Sequence, residues 1–184
     1  MRIIATKFPE VVLLEPRVFE DERGFFYESF NQLALNAGLA NLGFSATFVQ
    51  DNHSFSKQHV LRGLHYQLQH AQGKIVRVTQ GSVFDVVVDL RRSSTTFGCW
   101  DGAILSADNR LQLWIPPGFA HGFLCLSEQC DVLYKTTDYW APEHERCLRW
   151  DDPALGIAWP LTAAPILSAR DQAGLSLVDA ETYA

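Results

Sequence analysis

The stretch from Lys74 to Leu126 limits the fold more than any other part of the chain. It holds KIVRVTQGSVFDVVVDLR (Lys74 to Arg91) and LQLWIPPGFAHGFLCL (Leu111 to Leu126). Short runs rich in β-branched and aromatic residues, bounded by glycine and proline, read as strands. The runs flanking Gln80-Gly81 read as a hairpin, and two more lie on either side of Pro116-Pro117-Gly118. Asp131 to Trp140, Gly24 to Phe30 and Ala46 to Asn52 carry the same signature. Helix signals are few. Asn31 to Ala40 fits a short helix, as does Ser168 to Ala173, where Ser168 is a natural N-cap. Many short strands with Gly and Pro turns predict an all-β antiparallel sandwich or jelly roll. The length suits a single domain, 1–184, with a few short peripheral helices and a C-terminal third of loops wrapped on the barrel.

Charge and composition remove several function classes. The net charge is −6 and no lysine- or arginine-rich run exists, which argues against nucleic acid and anionic membranes as partners. A small anion held by a few local arginines remains compatible. No apolar run approaches the ~18 residues of a membrane span. The opening MRIIATKFPEVV lacks a signal-peptide pattern, so a cytoplasmic location is expected. The four cysteines, Cys99, Cys125, Cys130 and Cys147, form no CxxC pair and read as reduced thiols.

The chemistry-bearing candidate is LRGLHYQ, Leu61 to Gln67, whose His65 is a metal ligand, a base or a packed side chain. Metal-binding jelly rolls pair an HxH and a glutamate with a later PxGxxH. Here Pro116 to His121 fits the second element, but Gln67 replaces the second histidine of the first and the next dozen residues, LQHAQGKIVRVT, contain no carboxylate. Two imidazoles alone, with only Asp85 or His53 to complete a shell, make a weak site for a divalent metal. No required metal is expected.

Several segments then occur together in order: DERGFFYESF from Asp21, FVQDNHSFS from Phe48, VLRGLHYQ from Val60, WIPPGFAHGF from Trp114, YKTTDYWAPEHE from Tyr134, LRWDDPALGIAWP from Leu148 and LSARD from Leu167. Over nearly the whole chain this pattern resembles the dTDP-4-dehydrorhamnose 3,5-epimerases. The resemblance implies a cupin-type jelly-roll antiparallel β-barrel, a homodimer and no cofactor. It also implies a substrate, dTDP-4-keto-6-deoxy-D-glucose, inverted at C3 and C5.

Both carbons flank the C4 carbonyl, so losing a proton from either gives an enolate. Inversion needs a base on one face, an acid on the other and a stabiliser for the oxyanion. Imidazole titrates near working pH, at about 6.5 when unperturbed. By resemblance His65 is that base and Asp171 the carboxylate that orients its ring. Tyr134 is the acid, suited by a phenol pKa of about 10. Lys74 is the cation near the C4 oxygen, and His121 contacts the sugar. Arg23, Arg62 and Arg170 match diphosphate contacts, since guanidinium forks bind phosphate oxygens bidentately. Phe26 and Tyr139 match stacking partners for thymine, and Glu28, Gln50, Asn52 and Glu145 match polar contacts. The resemblance further implies that Arg23 to Glu28 reaches the neighbouring subunit's site. Trp140 departs from the pattern, which usually has a tyrosine or similar aromatic there. Three alternatives stay open on the residues alone: an epimerase acting at one carbon, a metal-dependent cupin, and a non-catalytic sugar-nucleotide binder.

Overall fold

The computed structural model describes residues 1–184. In chain order its strands are β1 (Arg2–Ala5), β2 (Val12–Glu15), β3 (Val18–Asp21), β4 (Gly24–Tyr27), β5 (Gln50–Lys57), β6 (Leu61–Gln67), β7 (Lys74–Gln80), β8 (Ser82–Asp89), β9 (Trp100–Ser106), β10 (Gln112–Ile115), β11 (Phe119–Cys125), β12 (Gln129–Thr136) and β13 (Glu145–Cys147). Helices α1 (Gln32–Leu39) and α2 (Ala169–Gln172) and two single-turn 3-10 helices, Ala40–Leu42 and Pro142–His144, complete the regular structure. A six-stranded sheet has the order β1-β2-β10-β7-β12-β5, and a five-stranded sheet the order β13-β6-β11-β8-β9. Every pairing between named strands is antiparallel. This is the cupin-type jelly roll expected from the sequence. No helix is long and apolar enough to cross a membrane.

The inner core joins the two sheets. Val76, Val78, Leu113, Ile115 and Val132 come from the six-stranded sheet, and Val83, Val87, Leu105, Phe119 and Phe123 from the other. Each sheet is also covered on its outer face. Helix α1 supplies Leu35 and Leu39 against Val12, Leu14, Ile75 and Trp114. The C-terminal segment supplies Leu148, Leu155 and Ala180 against Leu64, Tyr66, Val86 and Val88. Strands buried on both faces read as continuous apolar runs rather than alternating ones.

That double covering explains one correction. Lys74 to Arg91 is not a hairpin: β7 pairs with β10 and β12, whereas β8 pairs with β11 and β9. Gly81, at φ +71, carries the chain from one sheet to the other. Pro116-Pro117-Gly118 makes the same kind of crossing between β10 and β11. A local turn signal cannot distinguish a strand that pairs with its predecessor from one that changes layer. Boundaries also shift. The strand expected over Ala46 to Asn52 begins at Gln50, and the run from Asp131 ends at Thr136, leaving Tyr139 and Trp140 in a loop. The Gly24 to Phe30 strand stops at Tyr27. Both helices form where their caps direct. Asn31 accepts from the Leu33 and Ala34 amides, and Ser168 accepts from Asp171.

Candidate active site

A cavity of about 390 Å³ opens between the sheets. The five-stranded sheet lines it with Arg62 and His65 from β6, His121 from β11 and Glu145 from β13. The six-stranded sheet lines it with Gln50 and Asn52 from β5, Lys74 from β7 and Tyr134 from β12. Trp140 and Arg170 join from the loop after β12 and from α2. His65 and Tyr134 therefore stand on different layers of the sandwich.

Strict alternation along β6 would send Arg62 and His65 to opposite faces. A bulge resolves this. His65 pairs with His121 and Arg62 with Phe123, so three steps on β6 oppose two on β11. Gly63 sits in the bulge at φ +114, where a Cβ would lie 2.6 Å from Gly122 Cα and 2.7 Å from the His121 carbonyl oxygen. Only glycine permits both this backbone conformation and this approach. The extra residue re-aims the strand, a recurrent use of bulges beside active sites.

The freed Gly63 amide donates to Asp171 Oδ1 at 3.2 Å. His65 Nε2 donates to the same oxygen at 2.6 Å, and the Ser168 hydroxyl donates to Oδ2 at 2.7 Å. Burial pushes Asp171 toward its neutral form, but the bonds from His65, Ser168 and Gly63 outweigh it and hold the carboxyl below its usual range. A carboxylate accepts only, which fixes the ring tautomer and leaves Nδ1 with the free lone pair. The hundred residues between these partners carry no signal of the contact. What joins them is α2, whose N-cap Ser168 holds Asp171 against β6.

His121 is buried and its Nε2 lies 2.9 and 3.0 Å from the two oxygens of Asp85, itself 0% exposed. From the sequence, Asp85 stands only as a candidate metal ligand. The carboxylate of Asp85, set between Phe84 and the Val86 to Val88 run, was the available signal, because a buried charge needs a partner. His53, the other residue weighed, pairs instead with Asp131 and does not line the cavity. Lys74 is buried, which lowers its pKa to about 8 against the pull of Glu145 and Asp85. Its Nζ lies 3.5 Å from the His65 carbonyl oxygen. Burial and the charge of Glu145 raise the Tyr134 phenol, only partly offset by Arg62, so it stays protonated.

The cations suited to an anion cluster nearby. Arg62 is braced by Ser56 Oγ and the Phe55 carbonyl, both at 2.9 Å. Arg170 lies 2.7 Å from Glu145 Oε2, which also accepts from the Trp140 indole at 2.6 Å. Four sequence candidates are not brought to this cavity. Tyr139 is 64% exposed, and its place in the wall is taken by Trp140, the residue at which the chain departs from the family pattern. Arg23 pairs with Asp21 on the β3–β4 hairpin. Phe26 and Glu28 line a separate hollow of about 310 Å³.

Comparison with known proteins gives the family of the chain. The family model described as dTDP-4-dehydrorhamnose 3,5-epimerase matches residues 5–179. An enzyme of that name from Pseudomonas aeruginosa is 58% identical over 183 residues, covering 100% of this chain and 99% of its own. One from Neisseria gonorrhoeae is 55% identical over 184 residues, and the chain spans 55% of its length. Among solved structures, dTDP-6-deoxy-D-glucose-3,5-epimerase from Legionella pneumophila, in complex with dTDP-4-keto-L-rhamnose, superimposes with a TM-score of 0.94. It is 50% identical, and the match covers 98% of this chain and 94% of that one. The chain is a carbohydrate epimerase and belongs to the dTDP-4-dehydrorhamnose 3,5-epimerase family.

Proposed function

We propose that the chain inverts C3 and C5 of dTDP-4-dehydro-6-deoxy-D-glucose, with His65 as base and Tyr134 as acid. The observation that carries the assignment is their position on opposite sheets around one cavity. His65 Nδ1 takes the C3 proton, and the electron pair moves onto the C4 oxygen. Lys74 and His121, both buried beside the cavity, offset the enolate's charge. The Tyr134 hydroxyl then delivers a proton to the other face. Exchange with solvent restores both groups before the same steps act at C5. Arg62 and Arg170 hold the diphosphate, and Gln50, Asn52 and Glu145 contact the rest of the nucleotide. Trp140 takes the stacking role that the resemblance gave to Tyr139. The product is dTDP-4-dehydro-L-rhamnose, and the mechanism needs no cofactor.

The test is incubation with the keto sugar in D₂O, followed by NMR. Deuterium is expected at C3 and C5. Incorporation at one carbon identifies a single-carbon epimerase, and its absence at both overturns the assignment.

The active form is a homodimer in this proposal, within which the single 1–184 unit folds and acts in the cytoplasm. Support comes from the β3–β4 hairpin, which is paired to neither main sheet. It exposes Phe19, Phe25 and Phe26 at 51–71%. Clustered exposed aromatics of this kind mark interaction surfaces. Arg23, Phe26 and Glu28 then complete the partner subunit's nucleotide site.

A further inference from the structure

Cys147 is absorbed by none of these roles, yet it pairs directly across from His65 on the β13–β6 ladder. A ring nitrogen of His65, the sulfur of Cys147 and a carboxylate oxygen of Asp171 all lie within 4.8 Å of one another. These are three donors of the kinds zinc prefers, drawn from three elements, with His65 opening onto the cavity and Cys147 partly exposed. We propose that they form an inhibitory site for a thiophilic divalent cation, zinc or cadmium, which binds in place of the proton shared by His65 and Asp171.

The geometry asks for little movement. Bonds of about 2.0–2.3 Å to N, O and S in a tetrahedron place donors roughly 3.3–3.6 Å apart. The Nε2–Oδ1 edge, now 2.6 Å, opens by less than about 1 Å, and the sulfur closes within its present range. The fourth position takes water from the cavity side. The proton balance gives the inhibition. The thiol proton leaves to solvent, because a coordinated sulfur is a thiolate. A neutral imidazole carries a single N–H, so metal on Nε2 moves that proton to Nδ1. The lone pair proposed to take the C3 proton is then occupied, and Asp171 no longer orients the ring. The loss of activity rests on His65 being the base; the coordination does not.

Two measurements separate these claims. Zinc chloride or cadmium chloride, titrated into the purified wild-type enzyme during epimerisation, is expected to inhibit reversibly, with recovery on adding a chelator. Cys147→Ser, and Cys147→Ala as a second variant lacking any oxygen donor, keep basal activity and need at least about tenfold more metal, the scale on which weakened ligation is felt. Cobalt(II) added to the wild-type protein reads coordination without turnover, through a thiolate-to-cobalt charge-transfer band that both variants lose. No such band in the wild type, a band retained without Cys147, or inhibition of the wild type that both variants share at the same metal concentration overturns the site. A band dependent on Cys147 without inhibition keeps the metal site and instead counts against His65 as base.

Discussion

At the scale of single residues, the base and the acid are separable by experiment. His65→Ala is expected to lower both deuterium exchange and epimerisation by about 10²–10⁴-fold, the range for a lost general base. Tyr134→Phe leaves the base in place. It is expected to retain exchange at C3 while net inversion falls by a similar factor, read by comparing label incorporation with product formation in one NMR series. Lys74 gives a pH signature. Burial has lowered its pKa to about 8, so the ammonium proposed to offset the enolate's charge is present below pH 8 and lost above it. A basic limb in kcat/KM near pH 8 is expected, and Lys74→Ala should be slower by about 10²–10³-fold and lack that limb. Tyr134, raised by burial, stays protonated across that window. Some of these residues were legible in the chain and some were not. LRGLHYQ exposed its histidine, whereas the bulge at Gly63 emerged only from the pairing of β6 with β11, although an isolated glycine in a strand is a signal for one. The His65–Asp171 bond was not readable from spacing, because a contact across a hundred residues depends on how α2 lands. Cys147 was invisible for the same reason: its meaning lies in the strand that pairs beside it.

At the scale of elements, the loop from β8 to β9 is held by a buried ionic knot. Asp89 accepts from the Arg91 amide and guanidinium at 2.8–3.0 Å and from the Thr96 hydroxyl at 2.7 Å. Arg91 reaches on to Glu10 and stacks over Phe119, so one arginine ties the N-terminal segment to the start of β11. Burial would raise the Asp89 carboxyl, but Arg91, Ser94 and Thr96 together hold it at about 2. A carboxyl depressed in the folded state contributes stability that is full above its unfolded value, about 3.9, and is lost as pH falls from there toward 2. The contribution is about 2 kcal/mol. Asp89→Asn should cost about 3 kcal/mol at neutral pH, because it leaves Arg91 without its partner, and the gap to wild type should narrow below pH 4 in urea titrations. The strands themselves were legible as runs, but their layer was not. A β-branched run buried on both faces looks alike in either sheet, which is why β7 and β8 read as a hairpin.

At the scale of the whole molecule, the proposed dimer with shared sites predicts complementation. Mixing His65→Ala subunits with Phe26→Ala subunits gives heterodimers holding one site with both groups intact. Recovery of activity on mixing is expected, against little in either parent, whereas a hairpin serving its own chain gives no recovery. The jelly roll as such was legible, since the count of short strands and the turn residues left few other architectures. The two-layer arrangement also has a mechanical consequence. His65 and Tyr134 are anchored to separate sheets, so the thickness of the sandwich is the ruler between them. Val132, two residues before Tyr134 on the same inward face, is buried in the layer that sets this thickness. Interiors pack as tightly as organic crystals and do not absorb lost volume silently. A methyl group removed from that layer, far from any substrate atom, would thus register first as a change in the tempo of proton delivery rather than as a loss of grip on the sugar.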